Sequence, residues 1–382
     1  MMVYGHYVGN MKSSGLEGVV AASTQLSHVD GERGELVIAG YRIDELAEHA
    51  TFEETTWLLW EGSLPSPDRL RAFGAALAAE RRLEDLTLAV LRDCARRRVA
   101  TMDALRAAAG TIAPAADEAT GIVARMPTIV ASYWRLRNGQ EPVAPRTDLG
   151  HAANFLYMLS GDEPDPEQVR ALETYLNTVI DHGLNASTFT ARIITSTGSD
   201  LISAVVGALG ALKGPLHGGA PGPALDMVFD IGDAARAESV LRRKIEAGEK
   251  LMGFGHRVYK VRDPRADVLA RAAERMFTRA GDMSLYTLAR SVEAEALRLL
   301  EAYKPGRRLQ TNVEFYTALL LHGVGFEVEL FTPTFAISRV SGWIAHALEQ
   351  RRANRIIRPQ SEYVGPRDRT WVPLADRSER VA

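Results

Sequence analysis

Cysteine is nearly absent: Cys94 is the one thiol in 382 residues. This excludes an intrachain disulfide and any cysteine-rich metal site, and the expected location is a reducing cytoplasm. An excess of one charge is also lacking. The 45 Lys and Arg against 48 Asp and Glu leave a formal net charge of −3. No global basic field exists to draw in nucleic acid or an anionic membrane. The longest apolar stretch, 201–212, is interrupted by Ser203, Gly207 and Gly210, and it falls well short of the roughly 20 residues a membrane span needs. No continuous apolar segment of the kind used for export stands near Met1. There is no Gly-x-x-x-x-Gly-Lys phosphate loop, and no strand–helix alternation that would build a doubly wound nucleotide-binding sheet.

What is present is ordinary globular material, 46% apolar and 24% charged. The length suits two or three domains, or one large domain carrying a smaller one. The first dozen or so residues read as loose and Gly-rich. The stretches 19–26 and 35–40 flank a turn-like segment from His28 to Gly34, which predicts two short strands. Helical periodicity dominates afterwards. Thr51 with Glu54 three residues later is a capping box, and Ser66-Pro67-Asp68 opens a second helix. Further helices are expected over 72–83, 86–99, 102–109, 120–136, 166–180, 185–195, 201–211, 224–230, 234–247, 265–279, 284–303, 312–323 and 334–353. In the 201–211 helix, Ala204, Gly207, Ala208 and Ala211 fall at helical spacing and would admit close neighbours. Loops rich in Pro and Gly interrupt at 138–145, 160–166 and 213–223. The fold class is therefore mainly α with a small N-terminal β element.

Histidine is scarce, nine in all, yet three stand in glycine-bearing breaks: His182 beside Gly183, His217 before Gly218 and Gly219, and His256 after Gly253 and Gly255. Glycine lets backbone and ligand approach closely. Arginines form a second set: Arg265 after Asp263-Pro264, Arg339 one turn from Trp343, and Arg358 before Pro359. Their planar forks bind carboxylates in two places, and a small di- or tricarboxylate needs two or three of them. Glu314 lies two residues after Asn312, a good N-cap, between apolar neighbours. A carboxylate in a partly dry cleft gains a pKa useful to a general base. No His-x-x-x-His or Glu-x-x-His pairing links these candidates, so a zinc centre has little support and no metal is expected. Arg96, Arg97 and Arg98 read as a solvated helix face.

Taken in order, Asp181-His182-Gly183-Leu184-Asn185-Ala186-Ser187-Thr188-Phe189, Gly214-Pro215-Leu216-His217-Gly218-Gly219, 253–260, Asp263-Pro264-Arg265, 311–315 and Arg358-Pro359 resemble the citrate synthase family. Weaker support comes from 102–106 and 126–129, and the resemblance spans about 15–366. It implies a two-domain helical fold around a cleft: 1–218 and 324–382 as the large domain, 219–323 as the small one. It implies condensation of acetyl-CoA with oxaloacetate and hydrolysis of citryl-CoA, with no cofactor beyond these substrates. By the family pattern His217, His256 and Glu314 are catalytic. His182, Arg265, Arg339 and Arg358 bind oxaloacetate, with Arg358 reaching the partner's site in a homodimer. Lys260 and Arg262 lie where CoA phosphates would pass.

Two positions depart from the pattern. Glu314 stands where the family usually has aspartate, extending the carboxylate by about 1.5 Å. Pro221 stands where many relatives have asparagine. A 2-methylcitrate synthase using propionyl-CoA needs the same catalytic groups, so motifs alone leave that reading open. A catalytically weakened regulatory homologue and a metal-dependent hydrolase are the readings from other classes.

Overall fold

The computed structural model of the chain describes residues 15–377 apart from 17, 114–116 and 219–220. The expected looseness of the first dozen residues, and Gly219 of the second histidine motif, lie outside the described residues. Within them, sixteen α-helices and one three-stranded antiparallel sheet form the fold.

The sheet comprises β1 (Ser27–Asp30), β2 (Glu35–Ile38) and β3 (Tyr41–Arg42), with Ser27 opposite Ile38 and Asp30 opposite Glu35. The first strand starts later than the sequence suggests. Asp30 Oδ1 accepts hydrogen bonds from the main chain of Glu32 and Arg33 (3.0 and 2.9 Å). This side-chain turn shortens the connection to four residues and leaves His28–Asp30 free to pair. Val19 and Val20 are exposed instead.

The helices begin where side chains satisfy the first N–H groups. Thr51 and Glu54 complete the capping box, and Ser66, Asp117, Asp165, Asn185, Asp200, Asp263 and Asn312 cap seven others. The predicted 234–247 helix starts as a 3-10 turn, Ala234–Arg236, before Ala237–Glu246. Two helices, Ile43–His49 and His151–Ser160, lack a sequence forecast of their own.

The centre is the helix Phe331–Arg352, buried on nearly every face. It packs against Phe52–Glu61, Glu118–Arg137, Pro166–Val179, Ala186–Ser196 and Leu201–Leu212. Such a helix must satisfy its polar groups internally. Ser338 Oγ donates to the Leu176 carbonyl (2.5 Å), and Trp60 Nε1 donates to the Ser341 carbonyl (3.1 Å). The small-residue helix Leu201–Leu212 is crowded as its composition implies: a Cβ on Gly207 would meet Ile194 at 2.2 Å.

On the other side, Pro221–Ile231, Ala237–Glu246, Ser284–Tyr303 and Val313–Gly323 pack together. The helix Pro264–Ala280 joins them to the rest, contacting Val313–Gly323 as well as Pro166–Val179 and Ile43–His49.

Gly342 marks the closest approach at the centre. A Cβ there would sit 2.2 Å from the Ile180 carbonyl oxygen, just before Asp181 and His182. Because backbone cannot yield as a side-chain tip does, Gly342→Ala is expected to cost about 1–3 kcal/mol. A chemical denaturation midpoint equal to that of the unsubstituted chain would contradict this packing.

Candidate active site

Three loops and three helices bring the candidate residues together. His182 follows the helix Pro166–Val179, and Asn185 immediately caps the next helix through Thr188 N (3.1 Å). His217 lies in a tight loop, its main-chain N–H bonded to the Gly214 carbonyl (2.9 Å). Gly218 closes that loop onto Leu212, and Thr332 of the central helix donates to the Gly218 carbonyl (2.9 Å).

The loop of His256 and the start of the Glu314 helix are joined edge to edge. Phe254 and Thr311 form an antiparallel bridge, Gly255 N donates to the Gln310 carbonyl (2.7 Å), and Asn312 N donates to the Gly253 carbonyl (2.9 Å). Gly253 and Gly255 both have positive φ, and a Cβ on Gly253 would press into the Phe315 ring. The Asn312 side chain works twice: Oδ1 caps Glu314 N (3.0 Å), and Nδ2 donates to the Gly255 carbonyl (2.8 Å). Behind them, Glu293 accepts from Thr311 Oγ1 (2.7 Å), Tyr316 Oη (2.5 Å) and Arg262 Nη1 (2.6 Å). Burial alone would raise the Glu293 carboxyl, but these donors outweigh it and hold it below the ordinary range.

Rings and charges converge in front of this frame. His182 and His256 meet edge to face with centroids 5.7 Å apart, and Tyr259 touches both rings. Asp263, fully buried, orients the Arg265 guanidinium through Nε (3.0 Å) and Nη2 (2.8 Å). Arg339 is buried within the central helix, its Nε donating to the Val179 carbonyl (2.6 Å) and its guanidinium lying over the Phe335 ring. His217 Nε2 lies 2.8 Å from Ser187 Oγ, which also accepts from Trp343 Nε1 (3.1 Å) and lies 2.9 Å from Asn185 Oδ1.

These surroundings set the protonation states. Burial, then the Arg265 charge, pushes His256 down to about 4, and burial with Arg339 does the same to His217. His182 is held well below its ordinary value by burial and by both arginines. All three imidazoles are therefore neutral at neutral pH. Burial raises Glu314 to about 7, although Arg265 pulls the other way. His256 Nδ1 accepts main-chain hydrogen bonds from Val258 and Tyr259 (both 3.0 Å), so its proton stands on Nε2. Among the described residues no group of three or more His, Cys, Asp or Glu side chains is arranged to hold a metal ion. No helix among them is long and apolar enough to cross a membrane.

A sequence model described as citrate synthase, C-terminal domain, matches residues 15–360. The chain belongs to the citrate synthase family. It is 42% identical over 380 residues to a citrate synthase of Haloferax volcanii, covering 95% of this chain and 98% of that one. It is 40% identical over 372 residues to a 2-methylcitrate synthase of Mycobacterium tuberculosis, covering 93% and 91%. The crystal structure of citrate synthase from Pyrobaculum aerophilum superposes with a TM-score of 0.88 at 40% identity, covering 99% of this chain and 100% of that one.

Of the residues singled out from sequence, His182, His217, His256, Arg265, Glu314 and Arg339 face one another through contacts or mutual charge effects. Three others lie elsewhere. Arg358 is exposed in the C-terminal segment, outside this cluster. Lys260 is exposed, with Nζ donating to the Arg257 carbonyl (3.2 Å). Arg262 is committed to the carboxylates of Asp267 and Glu293, which accounts for it without a phosphate. Pro221 opens the helix Pro221–Ile231.

The sequence reading passed over Asp181, Ser187, Tyr259, Trp343 and His346. Asp181 accepts from Ser27 Oγ (2.5 Å), Gly183 N (3.2 Å) and His346 Nε2 (3.2 Å), while Arg192 donates to His346 Nδ1 (2.7 Å). One signal was available: Arg339, Trp343, His346 and Gln350 recur at spacings of four, three and four, a polar stripe on one face of a helix.

Glu314 carries a stability cost. Its folded-state pKa of about 7 lies above its ordinary 4.5, so the ionised form is the one the fold disfavours. The penalty is absent below about pH 4.5 and complete above about pH 7. Glu314→Gln is therefore expected to stabilise the chain by about 1–3 kcal/mol at pH 8, with the gain fading as the pH falls to 4.5. Urea melts at the two pH values check this, and a gain that grows on acidification would refute the assignment.

Proposed function

We propose that the chain condenses acetyl-CoA with oxaloacetate and hydrolyses the resulting citryl-CoA to citrate and CoA. One observation carries this reading: a carboxyl poised near neutrality and two neutral imidazoles each feel the charge of one of two buried guanidinium groups, Arg265 or Arg339.

A thioester methyl group is a very weak acid, so its proton leaves only to a positioned base while the enolate oxygen is stabilised. Glu314 takes that proton. His217 stabilises the oxygen through Nδ1, the ring nitrogen that Ser187 leaves free. The enol carbon attacks the ketone of oxaloacetate. His256, protonated on Nε2, polarises that ketone and gives its proton to the forming alkoxide. Arg265 and Arg339 hold the two carboxylates and His182 completes the oxaloacetate contacts. The segment 219–323 acts as the smaller domain, closing to keep water out until the carbon–carbon bond has formed. Arg358 completes the site of a second copy in a homodimer, Lys260 meets the CoA phosphates, and the enzyme works in the cytoplasm.

A second reading, 2-methylcitrate synthase, is favoured by the 40% identity to the Mycobacterium tuberculosis protein of that name. The added methylene of Glu314 shifts a carboxylate where about 1 Å can change rates a hundredfold, so this position bears on acyl choice.

Purified protein with oxaloacetate is expected to release free CoA faster from acetyl-CoA than from propionyl-CoA in a thiol assay. The reverse preference would favour the second reading, and release from neither would sink both. With Glu314 titrating at about 7, kcat is expected to fall as the pH drops through 7, because the base becomes protonated. Glu314→Gln is expected to lower kcat by at least about a hundredfold while oxaloacetate still binds. Near-normal turnover would remove Glu314 as the base. Arg358→Ala is expected to raise the KM for oxaloacetate, and an unchanged KM would place Arg358 outside the site.

A further inference from the structure

Tyr259 sits between two of the site histidines and is itself only 2% exposed. Its main-chain N–H donates to His256 Nδ1 (3.0 Å), and its hydroxyl lies 3.1 Å from His182 Nε2. The Arg265 guanidinium lies over its ring, 5.8 Å from the centroid. One residue thus touches both imidazoles, once through the backbone and once through the side chain.

The direction of the second hydrogen bond follows from proton counting. A neutral imidazole has one N–H and one acceptor nitrogen. The phenol keeps its proton, since burial raises its pKa. If His182 donated from Nε2, the phenolic O–H would be left buried without an acceptor, because His182 is the hydroxyl's one hydrogen-bond partner among the described residues. An unmet buried donor costs about 1–3 kcal/mol. The opposite arrangement leaves nothing unmet: Tyr259 donates to Nε2, and His182 carries its proton on Nδ1.

We infer that Tyr259 is a positioning residue that fixes opposite tautomers in the two histidines, Nε2–H in His256 through its backbone and Nδ1–H in His182 through its hydroxyl. The inference rests on the oxaloacetate-binding reading for its kinetic consequence alone. Orienting His182 acts on the dicarboxylate and leaves the thioester untouched, so the effect belongs in one KM.

Tyr259→Phe separates the two contacts, because it removes the hydroxyl and keeps the main-chain N–H. The expected result is a 5- to 30-fold rise in the KM for oxaloacetate, with the KM for acetyl-CoA unchanged and kcat within about threefold. The second measurement is nitrogen-15 NMR of histidine-labelled protein, with His182 assigned by its loss in His182→Gln. Unsubstituted protein is expected to show the Nδ1–H tautomer at His182, and Tyr259→Phe a mixture. An Nε2–H signal at His182 in the unsubstituted chain would overturn the inference, whatever the kinetics. So would unchanged tautomers in Tyr259→Phe, or a parallel rise in both KM values, which marks a general loss of structure. Failure of the unsubstituted chain to release thiol strikes the proposed reaction instead and leaves the tautomer result standing.

Discussion

Arg339 sets the terms for the rest of the site. Its guanidinium is buried in the middle of the central helix, forms no ion pair among the described residues, and is held by a carbonyl oxygen and an aromatic face. Burial brings its pKa down to about 10, which still leaves a cation at neutral pH. A charge removed from water without a carboxylate beside it is costly. The surroundings respond in three ways. Asp181, one peptide before His182, supplies negative charge nearby. The imidazoles facing the arginine stay neutral. The nearby cation, Arg265, carries its own carboxylate, Asp263, so the two guanidinium groups do not stand side by side uncompensated.

The same logic explains why Arg265 is treated differently. It has its own carboxylate, Asp263, which is bonded to it from two sides and also accepts from Val313 N (3.2 Å) at the start of the Glu314 helix. That pair is neutral overall, so it can sit next to Glu314 without holding the acid fully ionised. The raised Glu314 pKa results from desolvation that Arg265 only partly offsets. A carboxyl tuned near neutrality thus arises from burial beside an arginine that already has its own carboxylate.

Much of this was legible in the sequence because it is local. Capping residues such as Thr51, Asn185, Asp263 and Asn312 act within three positions, so the helix starts could be read directly. The glycine-flanked histidines were visible for the same reason. What escaped depends on distant neighbours. His346 reads as one more core histidine until Asp181, 165 residues away in sequence, is seen at 3.2 Å. Ser187 is one small hydroxyl among many until it stands between His217 and Trp343. Arg262 shows the reverse: a basic residue near a glycine segment looks free in sequence, and the fold pairs it with Asp267 and Glu293. The first strand was misplaced because a single aspartate side chain decides where the turn ends.

The bridge between Phe254 and Thr311 has a consequence for motion. It welds the segment that presents His256 to the one that presents Glu314, with Asn312 as the rivet. These two groups therefore move as one block: a shift of the 253–256 segment carries the start of the Val313–Gly323 helix with it, so their separation is set once, at folding. His217 and Arg339 stand on other elements, the loop after Leu201–Leu212 and the central helix, and are placed independently of that block.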